Sequence, residues 1–162
     1  MAYEKGLHGC TNASNKKRMT QEDTAQVLKK AEYGTLASMG ADGYPYSIPF
    51  NFAYIKDCIY FHSAHNGHKI ENIKNNAKVS FSAVNYVQLI PENFDTEYDS
   101  AVVFGSAAEV TDDGEKQQAL LGLIQKYSKE YLATGMTHIN KNMNSVAVYK
   151  IKIEHMTGKR GR

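Results

Sequence analysis

The sequence predicts a mainly β (α+β) fold, a six-stranded antiparallel closed or split β-barrel with flanking helices. Several short segments alternate apolar and polar residues with the period of two that is typical of half-buried strands. Turn signals such as Asp42-Gly43 separate these segments, as expected for strands joined in antiparallel order. With 162 residues, 42% of them hydrophobic, the chain is long enough to bury one core.

The N-terminal part of the chain predicts an arm followed by a helix. Residues 1–18 show no apolar periodicity, so the folded domain is expected to span residues 19–162. Thr20 is a suitable N-cap, and the apolar residues after it are spaced as on one face of a short helix. Gly34 is a natural stop for that helix.

Three strands are predicted next, at residues 35–39, 46–55 and 58–62. The first turn, at residues 40–43, has the Asp-Gly signature of a hairpin, and a second turn lies at residues 56–57. The prolines at the start and within the second strand are tolerated at an edge or a bulge. The pattern therefore indicates an antiparallel meander.

The next segments alternate between helical and extended patterns. A helix is predicted from residue 68 to 75, and a cleanly alternating strand covers residues 79–84. Residues 85–99 contain a proline and several acids, and they are expected to form a long connection. Residues 101–110 are apolar on both faces at their start, as in a strand enclosed on two sides.

The last part of the chain predicts a helix and a strand. Asp112 with Glu115 three residues later resembles a capping box at the start of the helix. The final strand, residues 145–153, places apolar side chains on one face and lysines on the other. The apolar stripe of the helix, typical of core packing, is formed by Leu120, Leu123, Ile124, Tyr127 and Tyr131.

Charge and hydropathy exclude several classes of partner. The formal net charge of +2 is too small to indicate nucleic-acid binding, and the basic clusters at residues 16–18 and 159–162 are expected to be solvated ends. No apolar run approaches the length of a membrane span, and the N-terminus carries no apolar signal-peptide region. We therefore expect a cytoplasmic protein with neither membrane nor nucleic-acid contacts.

The cysteines and histidines do not predict a metal centre. Cys10 and Cys58 are too few for a disulfide framework. His62, His65 and His68 are spaced three residues apart, but no nearby cysteine or carboxylate completes the four ligands of a structural zinc site. We expect no bound metal.

The junction between the strand at residues 58–62 and the next helix is the most informative segment for function. A turn containing Gly67 leads into a helix whose first turn carries His68 and Lys69. Free N–H groups and the positive end of the helix dipole attract a phosphate, and the Lys69 ammonium adds a full charge. Basic residues at this end oppose the dipole unless an anion lies in front of them. The alternative is an ordinary junction with an exposed lysine.

Several of these segments carry a family resemblance. The chain resembles the pyridoxamine phosphate oxidase-like flavin-binding split barrels, and within them the nitroimidazole-resistance branch. The resemblance runs from about Arg18 to Val84 and more weakly to Lys159. It implies a six-stranded split barrel, FMN at a homodimer interface and hydride transfer through the flavin. The motifs are Gly34–Ala37, Asp42–Pro49, Tyr60–Ala64, Gly67–Lys69 and Asn72-Ile73.

The resemblance also implies which residues bind FMN. The segment along the flavin ring is Ser47, Ile48, Pro49, Phe50 and Asn51. The pair that approaches the ribityl-phosphate is His62 and Ser63, the basic pair on the phosphate is His68 and Lys69, and Ser100 lies near the ring edge. His62 is also the one candidate catalytic residue, because it could donate a proton or a hydrogen bond to flavin or substrate. Alternatively, His62 is a strand-end packing residue.

Two departures from the family pattern bear on the substrate. The oxidase proper has an arginine before the phosphate lysine, whereas this chain has His68, whose charge depends on pH. The oxidase also uses a tryptophan and C-terminal arginines, whereas this chain has no tryptophan and ends in residues 157–162, Thr-Gly-Lys-Arg-Gly-Arg. These departures argue against pyridoxamine phosphate as the substrate.

Three functions remain open. The first is an FMN-dependent reductase of small electrophiles, nitro-aromatic or quinone-like, whose electron donor docks transiently because the chain has no Gly-rich nucleotide fingerprint. The second is a flavin carrier, sensor or scavenger without turnover. The third is a haem-binding split barrel, with His62, His65 or His155 as axial ligand. A barrel without ligand or a protein-interaction module is the remaining possibility.

Overall fold

The computed structural model describes residues 17–162, which form one seven-stranded antiparallel sheet with flanking helices. The helices are α1 (Gln21–Lys30), α2 (His68–Asn75), α3 (Asp113–Tyr127) and α4 (Leu132–Asn142). The strands are β1 (Gly34–Met39), β2 (Pro45–Phe50), β3 (Ala53–Ile55), β4 (Cys58–Ser63), β5 (Lys78–Ile90), β6 (Asp95–Glu109) and β7 (Ala147–Arg160). The predicted mainly antiparallel β fold is confirmed.

The sheet is open, and its order is β2-β1-β5-β6-β7-β4-β3. It curls so that strands near its two ends face each other: the rings of Phe50 on β2 and Phe61 on β4 stack with centroids 4.4 Å apart. We call this line of approach the seam, formed by Tyr46 and Phe50 of β2, Phe61 and His62 of β4, and His68 and Lys69 of α2. The seam is the split of the barrel.

The core fills the concave side of this sheet. Alternate residues of the central strands are fully buried there, including Leu36 of β1, Phe81 of β5 and Val103 of β6. Gly34, predicted to end the first helix, instead begins β1, where Phe81 leaves no room for a Cβ. The helix ends earlier because Ala31 already has an extended backbone conformation.

The prediction of a single strand over residues 46–55 is wrong. The structure has two strands there, β2 and β3, and they lie at opposite edges of the sheet. The chain leaves β2 at Asn51 and crosses to β3, so β2 pairs with β1 while β3 pairs with β4. The meander is therefore not formed, and this break accounts for the seventh strand. The Tyr127 hydroxyl fixes the crossing point, since it accepts a hydrogen bond from the Phe52 N–H at 3.0 Å. It also lies 2.7 Å from the Glu32 carbonyl oxygen, to which it can donate.

The predicted connection 85–99 is also wrong. Strands β5 and β6 continue through it and form a long hairpin closed by a 3-10 turn, Pro91–Asn93. A bulge between Val84 and Tyr86 breaks the alternation. The ribbon beyond it is exposed, with Val87 61% and Leu89 68% accessible. Hydrophobic periodicity predicts strands with one buried apolar face, and this ribbon has none.

The C-terminal prediction needs two corrections. Strand β7 continues to Arg160, well past the predicted end at residue 153, and helix α4 was not predicted. The basic cluster at residues 159–162 is not a solvated end. Arg160 and Arg162 each bind the buried Asp99 carboxylate, with the shortest N–O distances at 3.0 Å.

Helices α1 and α3 begin at the predicted N-cap residues, but α3 lacks the predicted reciprocal capping box. Thr20 caps α1 by accepting a hydrogen bond from the Asp23 N–H, as predicted. Asp112 caps α3 through the Glu115 N–H, but the Glu115 carboxylate binds Lys150 and the Tyr60 hydroxyl and does not complete a reciprocal box. Helix α2 has the predicted bounds, and β2, with its two prolines, is an edge strand as predicted.

The N-terminal arm predicted for residues 1–18 lies almost wholly outside the described residues. Within them, Arg18 forms an isolated β-bridge with Lys159 and Met19 is buried against the core. No helix among residues 17–162 is both long and apolar enough to cross a bilayer.

Candidate functional site

Helix α2 begins without a side-chain cap. Its N-cap residue, Gly67, has φ of 134°, a conformation that L side chains rarely adopt, and no side chain bonds to the first N–H groups. The Gly67 carbonyl accepts from the N–H groups of Ile70 and Glu71. No Ser, Thr, Asp or Asn stands at the cap position to satisfy the first donors. The helix start is therefore open to an external acceptor.

Lys69 lies in this first turn, half-buried over the seam. Its Nζ is 5.8 Å from the ring centroid of Phe50 and 6.0 Å from that of Phe61. No carboxylate of the described residues lies within 4.0 Å of this ammonium. Burial lowers the pKa of Lys69, because the charged form loses hydration without gaining a counter-ion. An external anion would supply that counter-ion.

Two histidines flank Lys69. The His68 ring packs on Tyr46 with centroids 4.6 Å apart, which ties the start of α2 to strand β2. His62 is exposed at the end of β4, which does not fit a buried packing residue. Partial desolvation, and then repulsion from the nearby Lys69 ammonium, lower the pKa of His62. The neutral imidazole is therefore favoured near neutral pH.

The predicted flavin-ring segment presents two faces. Ile48 and Phe50 are half-buried on the inner side of β2, whereas Ser47 and Pro49 are exposed on the outer side. Asn51 follows at the break between β2 and β3, with its Nδ2 3.4 Å from the Glu32 carbonyl oxygen. Of these five residues, only Phe50 belongs to the seam, where its ring stacks on Phe61.

The structure separates the other predicted residues. Ser63 is buried on the face of β4 opposite to His62, in register with Ala147 of β7. Ser100 lies on β6, opposite Val84 and Lys159, and two strands separate β6 from β2. Ser100 is therefore not part of the seam within one chain.

Sequence reasoning missed two aromatic residues of the seam: Tyr46, which packs on His68, and Phe61, which lies near the Lys69 ammonium. Tyr46 and Phe61 lie inside the motifs that carry the family resemblance, but they were not assigned a role. Tyr46 alternates with exposed neighbours, which places it on the inner face of β2, whereas Phe61 follows two other buried residues, Ile59 and Tyr60, so burial there does not distinguish the faces. Tyr127 was assigned to ordinary packing, and nothing in its helical spacing reveals the hydrogen bonds to Phe52 and Glu32.

Three clefts formed by residues 17–162 lie away from the seam. Tyr33 and Val84 border one, Lys126 and Leu121 border a second, and His155 borders the third. Lys69 and His62 line none of these three clefts. Among the same residues, no group of three His, Cys, Asp or Glu side chains could hold a metal ion.

Comparison with known proteins gives a family-level match. The family model described as pyridoxamine 5'-phosphate oxidase matches residues 20–160. No curated protein matches the chain at a significant level.

Solved structures resemble nearly the whole chain. A candidate 5-nitroimidazole antibiotic resistance protein from Bacteroides thetaiotaomicron is 25% identical with a TM-score of 0.72, over 88% of this chain and 86% of that chain. A conserved hypothetical protein from Mycobacterium tuberculosis is 19% identical with a TM-score of 0.80, over 94% and 91%. A FAD and haem binding protein from Mycobacterium smegmatis is 19% identical with a TM-score of 0.76, over 91% and 74%. The two mycobacterial likenesses show the fold alone.

Proposed function

Because the chain belongs to the pyridoxamine 5'-phosphate oxidase family, we propose that it is a flavoprotein that binds FMN along the seam. The observation that carries this proposal is the half-buried Lys69 ammonium at an uncapped helix start. No carboxylate of the described residues lies within 4.0 Å of it. Partial burial costs this ammonium hydration, and the negative charge of a bound ligand would offset that cost.

The residues present fit FMN as a group with an anionic tail and a flat apolar ring. His68 and Lys69 would hold the phosphate together with the first N–H groups of α2. His62 and Ser63 would lie near the ribityl chain, and the ring would lie along the segment from Ser47 to Asn51. Ser100 keeps its proposed place near the ring edge only if a second copy of the chain brings it to the seam.

We propose that the protein is an oxidoreductase for small electrophiles, nitro-aromatic or quinone-like. FMN, when bound, supplies the hydride chemistry, while the chain binds and orients it and excludes water. His62 is the catalytic candidate, because its neutral imidazole can give or take a proton beside the ring. The nitroimidazole-resistance description of the Bacteroides structure supports this substrate class.

Pyridoxamine phosphate does not fit as the substrate. The C-terminal guanidinium groups of Arg160 and Arg162 are both engaged by the Asp99 carboxylate. Either arginine would have to give up its ion pair with the buried Asp99 carboxylate in order to hold a substrate phosphate. The chain also has no tryptophan for this role.

We also propose a cytoplasmic homodimer with the seam at its interface. A flat apolar ring on an open surface would remain half-solvated in one chain, and a second copy would bury its other side. Light scattering of the FMN-loaded protein should give twice the mass of one chain, 18.1 kDa. The mass of one chain would refute the dimer.

Replacing Lys69 tests the phosphate role. In Lys69→Ala, FMN should bind more weakly by about 1.5–3 kcal/mol, as expected for a lost charge-assisted contact, while riboflavin affinity should hardly change. Calorimetric titration with both ligands measures the difference. The matched control is Lys74→Ala, which removes an exposed lysine of the same helix and should leave both affinities unchanged. Equal losses for FMN and riboflavin in Lys69→Ala would refute the phosphate role.

The absorbance spectrum of the purified protein separates flavin from haem. Two bands in the blue and near-ultraviolet indicate flavin, whereas a Soret band after reconstitution indicates haem. The neutral imidazole of exposed His62 is the form that ligates iron, so haem is the second candidate. Stopped-flow reoxidation by a panel of acceptors then distinguishes a reductase from a flavin carrier, because a carrier should show no acceptor preference.

A further inference from the structure

A second region of the molecule contains a desolvated lysine in a cleft. The cleft lies between helix α3 and strand β3, has a volume of about 470 Å³, and is bordered by α1. Leu121 and Gly122 of α3 and Ala53 of β3 give it apolar walls, while Lys29 and Lys126 supply the cationic groups. This volume lies within the range of small-molecule sites.

The Lys126 ammonium has few partners. Its Nζ lies 3.7 Å from the ring centroid of Phe52 and 5.3 Å from that of Tyr127. One long hydrogen bond, 3.4 Å, reaches the Leu28 carbonyl oxygen in α1. An ammonium has three donors, so two are left without a protein acceptor in this position.

Neither lysine forms an ion pair within the part of the chain that the structure describes. Among residues 17–162, no carboxylate lies within 4.0 Å of Lys126 or of Lys29. The other titratable groups that face Lys126 are Lys29 on α1, Tyr127 on its own helix and Tyr54 on β3, whose hydroxyl donates to Asp57. Burial lowers the pKa of Lys126 to about 8.

A purely structural explanation covers only part of this arrangement. Lys126 lies in the last turn of α3 and bonds to a carbonyl in the last turns of α1, so it interacts favourably with both helix ends. Helix-end charges of this kind normally remain hydrated at the surface. Here the charge rests on an aromatic ring beside a cleft with a second lysine at its rim.

We propose that this cleft binds a small amphipathic carboxylate, with its carboxylate group on the Lys126 ammonium and its apolar body against Leu121 and Ala53. Lys29 adds a second positive charge at the rim. The ligand would occupy the two free donors of Lys126 and supply the counter-ion that the protein lacks. This site is separate from the seam, so the proposal does not depend on flavin binding.

The test uses 2-naphthoate as the probe and 2-naphthalenemethanol as its uncharged analogue. The full chain is titrated with each compound by calorimetry, in the absence and in the presence of saturating FMN. We expect the carboxylate to bind at least tenfold more tightly than the alcohol at pH 7. We also expect Lys126→Met to lose at least tenfold in naphthoate affinity. Methionine keeps an unbranched apolar stem on Phe52, so the variant should fold.

The pH dependence makes the test specific. Naphthoate stays ionised from pH 6 to 10, whereas free Lys126 loses its proton from about pH 8. Affinity should therefore be constant below pH 7 and fall above pH 8, with proton uptake on binding in that range. The control Lys129→Met removes an exposed lysine beyond the end of α3 and should keep the wild-type profile. Equal binding of the alcohol, undiminished binding to Lys126→Met, or an affinity constant to pH 10 would overturn the proposal.

Discussion

The seam and the α3–β3 cleft each place a lysine on phenylalanine rings without a carboxylate of the described residues, but at opposite ends of a helix. Lys69 stands in the first turn of α2, where the helix dipole repels it, and Lys126 stands in the last turn of α3, where the dipole attracts it. Lys126 is nevertheless the lysine with the pKa near 8, since its ammonium is closer to a ring and more desolvated. Burial is the cause of the lowered pKa at both lysines.

The two lysines therefore differ in what the protein already provides. Lys126 has a backbone acceptor and a favourable helix end, so an anion would improve a position that is partly compensated. Lys69 has an unfavourable helix end and no hydrogen-bond partner among the described residues, so a bound anion would contribute more at Lys69 than at Lys126. This difference is the physical basis for proposing that the phosphate binds at the seam.

The largest expected effect comes from replacing the phenylalanine that lies next to each lysine. Phe61, beneath Lys69, and Phe52, beneath Lys126, are both fully buried. We expect Phe61→Ala and Phe52→Ala each to lower the free energy of unfolding by about 3–5 kcal/mol, measured by urea denaturation. If the seam and the α3–β3 cleft are separate sites, Phe61→Ala should abolish FMN binding. The same variant should still bind 2-naphthoate, measured without urea so that the protein remains folded. Loss of both ligands in both variants would contradict the separation.

A smaller effect concerns stability against pH. The pKa of Lys126 falls from an ordinary 10.5 to about 8 on folding, so the unfolded chain binds more protons between these values. Stability contributed by this group is therefore lowest below pH 8 and rises towards pH 10. After allowance for solvent screening, Lys126→Met should be more stable than wild type by about 1–2 kcal/mol at pH 7, and the difference should vanish near pH 10. Urea unfolding at several pH values measures this, and a constant difference would contradict the assignment.

The smallest predicted effect compares two glycines with positive φ. Gly67 has φ of 134° at the start of α2, and Gly43 has φ of 84° in the turn between β1 and β2. We expect Gly67→Ala and Gly43→Ala each to cost about 1 kcal/mol of stability, because alanine strains both conformations. Only Gly67→Ala should weaken FMN binding, since only it disturbs the helix start. Equal FMN affinity in both variants would argue against a phosphate at that position.

The sequence predicted the bounds of strands and helices wherever their buried apolar residues follow a regular spacing. Strands β1 and β4 and helix α2 lie within a residue or so of their predicted bounds, because β1 and α2 each have one buried face and β4 is a short, mostly buried apolar run between two turns. The distal part of the β5–β6 hairpin was missed because its β5 arm is largely exposed and its β6 arm is polar, with the buried Asp99 paired to arginines. The break after Phe50 was missed because alternation continues across it, and only the sheet order reveals that the chain changes edges.

The candidate site was predictable only in part for the same reason. The placement of His68 and Lys69 at a helix start follows from local sequence, and the structure has that start at His68. The stacking of Phe50 on Phe61 depends on strands at opposite sides of the sheet, so no local pattern could show it. The position of Ser100 depends on register in a hairpin that the sequence did not reveal. The roles of these residues in FMN binding stay predictions.

The prolines of β2 have a consequence for how copies of this chain can meet. Pro45 and Pro49 pair with Met39 and Thr35 on one side, while the other side of β2 is the free edge of the sheet. Proline has no N–H to donate, so this edge cannot template a continuous ladder with an incoming strand. Repeated addition of strands from other copies, the first step towards fibrils, is therefore disfavoured at the free edge of β2. In the proposed dimer, a second copy would therefore meet this edge through side chains.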